Sequence, residues 1–467
     1  MSDEVLMPQP GPQEAFLSTS ADICIFGGAA GGGKSFGILL ECLRYCTSNK
    51  LFNALVFRRN TTQVKNPGGL WDASVNIFSK VGGYPVAHVL EWRWNHMGGG
   101  KVKFSHLENE TSVLDWQGAE IPLIIFDELT HFLESQFWYM LSRNRSLSGV
   151  KGYIRATTNP DADSWVAKLI DWWIGDDGYA IEERSGVIRW FIRVDDVLHW
   201  GDSEQELLEQ YGIRDEFGIL LESTHEDQIM PKSFTFILSK LTDNKILMKK
   251  DPSYMANLKA MSRVERERLL GGNWKIKPAA GLYFKQSDVN IIERLPDDIV
   301  KIVRHWDLAA TEPSTENPEP DWTAGVKMGR RENGRFVIMD VRHERFRSHK
   351  VRELVLNTAE KDDVDCIIGI PQDPGQAGKE QAESYANYLA GYTIHSERVT
   401  GDKLSRADPF AAQWQAGNVD VLRGAWNDAF FSELEQFPSK GIKDDQVDAA
   451  SDAFAKLVRS RSIYDSL

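Results

Sequence analysis

The chain has few cysteines, no long apolar run and no overall excess of positive charge. Its four cysteines (Cys24, Cys42, Cys46 and Cys366) form no C-x-x-C pair and no zinc-binding spacing. That excludes a disulfide scaffold or a zinc module and predicts four buried packing residues in a reducing compartment. No apolar run approaches the roughly 18–20 residues that a membrane-crossing helix needs. The polar, proline-containing start MSDEVLMPQPGPQE reads neither as a signal peptide nor as an anchor. Internal repeats and low-complexity tracts are also missing, which excludes a solenoid or a linker-like chain. A net charge of −14 argues against a protein that coats nucleic acid statically. The positive charge gathers in two blocks: residues 245–277 carry nine Lys/Arg against three Asp/Glu, and residues 327–350 carry eight against three. Basic stripes in an otherwise repelling surface suit a protein that grips and releases an acidic polymer.

With 467 residues, 42% hydrophobic and 26% charged, the chain has the length and composition of two or three globular domains. The most informative segment is Gly28–Ser35, GAAGGGKS, a complete G-x4-G-K-S loop following the apolar strand DICIF (Asp22–Phe26). Gly28, Ala29, Ala30, Gly31, Gly32 and Gly33 let the backbone turn its N–H groups around phosphates. Lys34 reaches the β- and γ-phosphates, and Ser35 can hold Mg²⁺ at a helix start whose dipole favours negative charge. About ninety residues on, LIIFDE (Leu123–Glu128) is an apolar strand ending in two carboxylates. Asp127 would serve the metal and Glu128 would polarise the attacking water. Together the two motifs predict hydrolysis of a nucleoside triphosphate, ATP.

Short apolar strands alternate with helical stretches from residue 20 to about 240, at Asp22–Phe26, Ala54–Arg58, Lys101–Leu107, Leu123–Phe126, Tyr153–Thr157, Val187–Val194 and Phe234–Leu238. This rhythm predicts an α/β domain with a mostly parallel sheet. Three parts are expected: an ATPase domain over 1–243, a basic helical subdomain and linker over 244–280, and a second domain over 281–467. In the last part IVRHWDL (Ile302–Leu308) is a strand delivering Asp307, and two antiparallel strands follow through a Gly329–Gly334 hairpin. CIIGI (Cys366–Ile370) is a buried strand with Asp373 just past it, and KDDQVDAASD (Lys443–Asp452) opens a helix that carries Asp445. Carboxylates from two strand ends and a helix can converge on two hard cations, Mg²⁺ or Mn²⁺, that cut a phosphodiester. The acidic, proline-rich segment Thr311–Pro320 reads as an exposed loop that could shield this site.

GGAAGGGKS, LIIFDE, ATTNP (Ala156–Pro160), LLGGNW, HWDLAAT (His305–Thr311) and KDDQVDAASDA occur in this order over nearly the whole chain. In this the chain resembles the large terminase subunits of tailed bacteriophages. The resemblance implies an N-terminal P-loop ATPase that moves double-stranded DNA into a procapsid. It also implies a C-terminal RNase H-like nuclease, built on a mixed sheet, that cuts concatemers. It assigns Gly28, Gly33, Lys34 and Ser35 to phosphate and metal, Asp127 to Mg²⁺, and Glu128 to catalysis. Thr157, Thr158 and Asn159 become a segment sensing the γ-phosphate, and Gln13 a reader of adenine. Asp307, Asp373 and Asp445 become the nuclease triad, with Asp321, Asp444 and Asp448 as candidate accessory ligands. Where many relatives carry a polar residue inside the loop, this chain has Ala29 and Ala30. The transition-state charge must then come from elsewhere: Arg143 or Arg145 donated to a neighbouring subunit, with Arg58 and Arg59 as alternatives. The implied partners are duplex DNA, a small terminase subunit and the portal protein, but no membrane. The implied assembly is a homo-oligomeric ring, a pentamer when engaged and a monomer in solution. The implied place is the host cytoplasm, docked transiently on the procapsid and absent from the mature virion. Two other readings stand beside this one. A repair or recombination helicase-nuclease would need a second motor lobe that the sequence lacks. An ATP-gated capsid-assembly scaffold would carry inactive nuclease carboxylates.

Overall fold

The computed structural model describes residues 6–222, 225, 228–309, 320–372, 375–398, 401–439 and 441–458. The chain divides into two compact units, residues 1–259 with 267–276, and residues 260–266 with 277–467. The basic stretch after residue 244 is thus shared between them.

The first unit is built on a ten-stranded sheet. Its strands are β1 (Ile23–Gly28), β2 (Asn53–Arg58), β3 (Tyr84–Val86), β4 (Glu91–Arg93), β5 (Lys101–His106), β6 (Leu123–Phe126), β7 (Tyr153–Thr158), β8 (Ile188–Val194), β9 (Val197–Gly201) and β10 (Lys232–Ser239). They lie in the order β3-β4-β5-β2-β6-β7-β1-β10-β8-β9. The run from β5 to β10 is parallel, and antiparallel strands close both edges. Successive side chains of a strand point to opposite faces, so a sheet covered on both faces needs continuous apolar runs. β1 shows this: Ile23 and Ile25 pack with Ile124, Phe126 and Trp173 on one face, while Cys24 and Phe26 pack with Ile38, Cys42 and Trp92 on the other. All four cysteines are buried and free, as their spacing predicts. Parallel order also sends the C-terminal ends of β1, β2, β6, β7 and β10 to one edge, where an open α/β sheet places its ligand.

The second unit holds a seven-stranded mixed sheet. It comprises β11 (Asn290–Ile292), β12 (Ile299–Asp307), β13 (Thr323–Arg331), β14 (Phe336–Glu344), β15 (Cys366–Gln372), β16 (Ile394–Arg398) and β17 (Val419–Leu422), ordered β11-β17-β14-β13-β12-β15-β16. β12, β13 and β14 form an antiparallel meander, with the turn after Arg331 using Gly334 at φ +83°. β15 pairs with β12 in parallel, His305 opposite Gly369. The helix Asp445–Val458 lies across β12 and β13 and buries Val447, Ala450, Phe454 and Leu457. This is the RNase H-like arrangement that the resemblance implies. Among the described residues, no helix is long and apolar enough to cross a membrane.

The basic block at 327–350 is largely consumed inside this unit. Lys327 bonds Asp362 at 3.1 Å, Arg331 bonds Asp298 at 2.9 Å and Asp420 at 3.3 Å, Arg335 bonds Asp420 at 2.8 Å, and Arg342 bonds Asp340 at 3.1 Å. Past Arg342, Arg345 lies 4.0 Å over the Trp322 ring.

Candidate active sites

The loop between β1 and the helix Lys34–Cys46 takes its shape from its glycines. Gly33 sits at φ +81° and Gly28 at φ +129°, conformations costly for any residue with a Cβ. A Cβ on Gly33 would stand 2.3 Å from the Gln13 side-chain nitrogen, and one on Gly28 would stand 2.4 Å from the Ser239 carbonyl oxygen. The N–H groups of Ala29 and Ala30 donate to Ser239 O (2.8 Å) and Leu269 O (2.7 Å). These two residues therefore anchor the loop from outside, their N–H groups already engaged. The Lys34 ammonium rests on Ala29 O (2.6 Å) and on the Asn159 amide oxygen (3.0 Å). Burial pushes its pKa down to about 8, against the pull of Glu128 and Asp127. Ser35, the next residue, is exposed at the helix start.

β6 ends in the two carboxylates. Asp127 is buried, accepts a bond from Thr157 Oγ1 and is ion-paired with Arg58 at 2.5 Å. Glu128 takes a left-handed backbone (φ +63°), which turns its side chain off the strand direction. Its N–H donates to Thr157 Oγ1 at 3.1 Å. Both Glu128 carboxylate oxygens accept from the Asn159 amide at 3.0 Å. Asn159 thus joins Lys34 to Glu128, and Thr157 joins Asp127 to the Glu128 backbone. The end of β7 and the residue after it are wired into the phosphate loop and both carboxylates at once.

Gln13 is buried, and its amide is already engaged. Nε2 donates to Gly33 O (2.9 Å), while Oε1 accepts from Gln9 N (2.8 Å). Asn244 donates to Gly31 O (2.7 Å) and accepts from Gln9 Nε2 (2.9 Å). Gln13 is therefore part of an amide bracket under the loop. Of the arginines, Arg58 is held by Asp127, and Arg59 donates to Leu107 O (3.0 Å) and Gln136 (3.3 Å). Arg143 lies elsewhere. Its carbonyl accepts from Ile121 N (3.2 Å), just ahead of β6, and its guanidinium lies 5.2 Å over the Tyr139 ring. That is the sheet edge opposite the phosphate loop, so Arg143 and its neighbour Arg145 do not reach this chain's own phosphate loop.

In the second unit a cavity of about 320 Å³ is lined by Asp307, Asp321, Asp444, Asp445, Asp448 and Asp452, with Lys403 and Arg406 among them. Asp307 arrives at the end of β12 and Asp445 in the first turn of the helix Asp445–Val458. Gln446 fixes that turn through its N–H and side-chain amide, both 2.6 Å from Glu433. Burial, with Asp448 and Asp445 nearby, pushes the Asp307 carboxyl up to about 8. Burial, with Asp321 and Asp444, pushes Asp445 up to about 6. Asp445 Oδ2 is buried with no hydrogen-bond partner among the described residues. Crowded carboxylates and an orphaned oxygen fit a hard divalent cation. Among the described residues no three His, Cys, Asp or Glu side chains stand in a ready ligand arrangement. Asp373, the expected third member, lies just past β15 and outside the described residues, as does most of Thr311–Pro320. The three accessory candidates are each already paired: Asp321 with Lys443, Asp444 with Lys403, and Asp448 with Lys403 and Arg406.

Residues 25–291 match the family described as terminase large subunit, T4likevirus-type, N-terminal, and residues 304–457 match the terminase RNaseH-like domain. The chain belongs to the large terminase subunits of tailed bacteriophages. Its fold is that of the large terminase of a thermophilic bacteriophage, solved with ADP (15% identity, 97% of this chain and 99% of that chain, TM-score 0.58). The same thermophilic phage protein solved with ATP-γ-S gives 14% identity over 97% and 99% of the two chains, with a TM-score of 0.57. No curated protein matches the chain. The terminase therefore joins an ATPase-like unit to an RNase H-like unit, and its general function is that of an ATPase and nuclease of DNA packaging.

Sequence reasoning missed the cations at the acidic pocket of this terminase's second unit. Lys403 and Arg406 are three residues apart and so share one face of the helix Lys403–Gln415. That spacing was the available signal, but nothing local says the face meets the last helix. Gln9 and Asn244 were missed for the same reason, since their role exists only across more than two hundred residues of chain.

Proposed function

We propose that the first unit hydrolyses ATP to drive duplex DNA into a procapsid and that the second cuts concatemeric DNA by a two-cation scheme. One observation carries this. Lys34, Asp127, Glu128 and Asn159 meet at one edge of a parallel sheet, in a chain that also brings Asp307 and Asp445 to one acidic pocket. The thermophilic phage relative solved with ADP and with ATP-γ-S supports a nucleotide at the first site.

In this reading the N–H groups of Gly31–Gly33 meet the β- and γ-phosphates, and the Lys34 ammonium leaves its present partners for them. Ser35 and Asp127 would hold Mg²⁺, which supplies charge neutralisation at the phosphates. Glu128 orients the attacking water. Asn159, now spanning Lys34 and Glu128, reports whether the γ-phosphate is present and frees Glu128 when it is. Arg143 or Arg145, at the opposite edge, serves a neighbouring subunit's nucleotide in a ring on the portal, with duplex DNA and a small terminase subunit as the other partners. In the second site Asp307 and Asp445, with Asp373, would hold Mg²⁺ or Mn²⁺, which supplies an activated water and a stabilised leaving oxygen. Such a protein works in the host cytoplasm and leaves the procapsid once packaging ends.

The test uses the full chain. ATP turnover should rise with linear duplex and vanish in Glu128→Gln, and supercoiled plasmid should be cut with Mn²⁺. Turnover indifferent to duplex, with the plasmid intact, would favour the assembly-scaffold reading.

A further inference from the structure

Asp127 is already balanced by a cation of this chain. Arg58 Nη2 lies 2.5 Å from Asp127 Oδ2, and the other Asp127 oxygen takes the Thr157 hydroxyl. The strand register produces this contact. Phe57 of β2 lies opposite Phe126 of β6, and Phe26 of β1 lies opposite Thr157 of β7. Lateral neighbours in a sheet point to the same face. Arg58, Asp127 and Thr157 therefore form one row on the face where Phe26 packs with Ile38 and Cys42, beside the helix that begins Lys34-Ser35. The two ends of the ion pair differ in freedom. Asp127 is 1% exposed and engaged on both oxygens, whereas the Arg58 side chain is 20% exposed. Arg58 is also under-used, for a guanidinium carries five N–H donors. Among the described residues no side chain other than Asp127 partners it, and its Nε is buried without a hydrogen-bond partner. Neighbouring Arg59, by contrast, donates to Leu107 O at 3.0 Å and to Gln136 at 3.3 Å. Spare donors beside the phosphate loop suit an acceptor richer in oxygen than one carboxylate.

We propose that Arg58 makes the first site discriminate a nucleoside triphosphate from a diphosphate, by trading Asp127 for the terminal phosphate. This rests on the nucleotide reading above and deepens it. For Asp127 to serve a Mg²⁺ that enters with the nucleotide, Arg58 must give up that carboxylate. With ATP the guanidinium then faces the γ-phosphate oxygens, which its planar fork fits. With ADP it gives up the carboxylate and meets no terminal phosphate in return, which leaves a part-buried cation uncompensated. Arg58 thus favours the triphosphate on entry. Once the γ-phosphate has left, Arg58 returns to Asp127 and loosens the diphosphate, so the ion pair promotes product release. Ala29 and Ala30 cannot take this role, since they have no polar side chain and their N–H groups are bonded to Ser239 O and Leu269 O.

The experiment is calorimetric titration of the full chain with ADP and with ATP-γ-S, each in Mg²⁺ and in a chelator. Against wild type, Arg58→Met should bind ADP in Mg²⁺ about three- to tenfold tighter and ATP-γ-S about tenfold weaker. General damage to the site cannot give opposite signs. In the chelator the tightening for ADP should vanish, because no metal competes for Asp127. Arg58→Lys keeps a cation on Asp127 without the fork. It should bind ADP as wild type does and ATP-γ-S about tenfold weaker, and it carries the test if the melting transition shows that Arg58→Met does not fold. Equal losses for both nucleotides, an unchanged ratio of the two affinities, or a tightening that persists in the chelator would overturn the inference while leaving a nucleotide site in place. A wild type that binds neither nucleotide would overturn the nucleotide reading itself, and the inference with it.

Discussion

Asp307→Asn should stabilise the metal-free protein while abolishing its nuclease. On the proposed function Asp307 is an acid kept for chemistry, and it is held where ionisation is costly. Its carboxyl is pushed from an ordinary 3.8 up to about 8 by burial and by the charges of Asp448 and Asp445. A carboxyl with a raised folded-state pKa costs nothing below its unfolded value. The cost grows as pH rises from there to the folded value, because the unfolded chain can ionise and the folded one resists. At about pH 7 the gap corresponds to an upper limit of about 4 kcal/mol. Asparagine has nearly the same volume, cannot ionise in either state, and removes this cost. Because several acids share the pocket and relax together, a gain of about 1–3 kcal/mol is expected near neutral pH. Thermal melting of wild type and variant in a chelator, between about pH 5.5 and 7.5, should show the difference growing by about 1 kcal/mol per pH unit. Saturating Mn²⁺ should shrink or invert it, since only the wild type holds the ion. A variant that melts lower than wild type without metal, or a difference that ignores pH, would refute the reasoning.

Two further substitutions probe the first site. Gly33→Ala forces a side chain onto a φ of +81° and against the Gln13 amide. Fluorescent ATP-analogue titration should show at least a tenfold loss of affinity, with about 1–2 kcal/mol of lost stability. Asn159→Ala cuts the bridge between Lys34 and Glu128. Steady-state kinetics should show kcat falling about 10²-fold with KM for ATP nearly unchanged, as when a contact that senses the γ-phosphate and counts only in the transition state is lost.

The parts legible in the sequence were those in which a short segment carries its own geometry. The phosphate loop, the LIIFDE strand and the positions of the central strands all follow from glycine placement and continuous apolar runs. β3 and β4, three residues each, are too short to show a period, so the antiparallel edge beyond β5 was invisible. Arg143 stands fifteen residues past Glu128 in the sequence, yet the helix Glu134–Leu141 returns the chain to the opposite sheet edge. The basic block at 327–350 looked like free charge because its acids, Asp298, Asp362 and Asp420, are distant in the chain. The motif gives Ala29 and Ala30 as residue types, while the partner of each N–H, Ser239 of β10 and Leu269, lies far along the chain. Lys403 and Arg406 fall in the same class: a pairing between two helices that neither helix announces.

The central claim is that one chain carries two separable active sites. The measurement that tests it most directly is ATP turnover and plasmid cutting in the same preparations of wild type, Glu128→Gln and Asp307→Asn. The account predicts that Glu128→Gln loses turnover and still cuts with Mn²⁺, while Asp307→Asn loses cutting and still turns over ATP. Loss of both activities in either folded variant, or of neither, would contradict it.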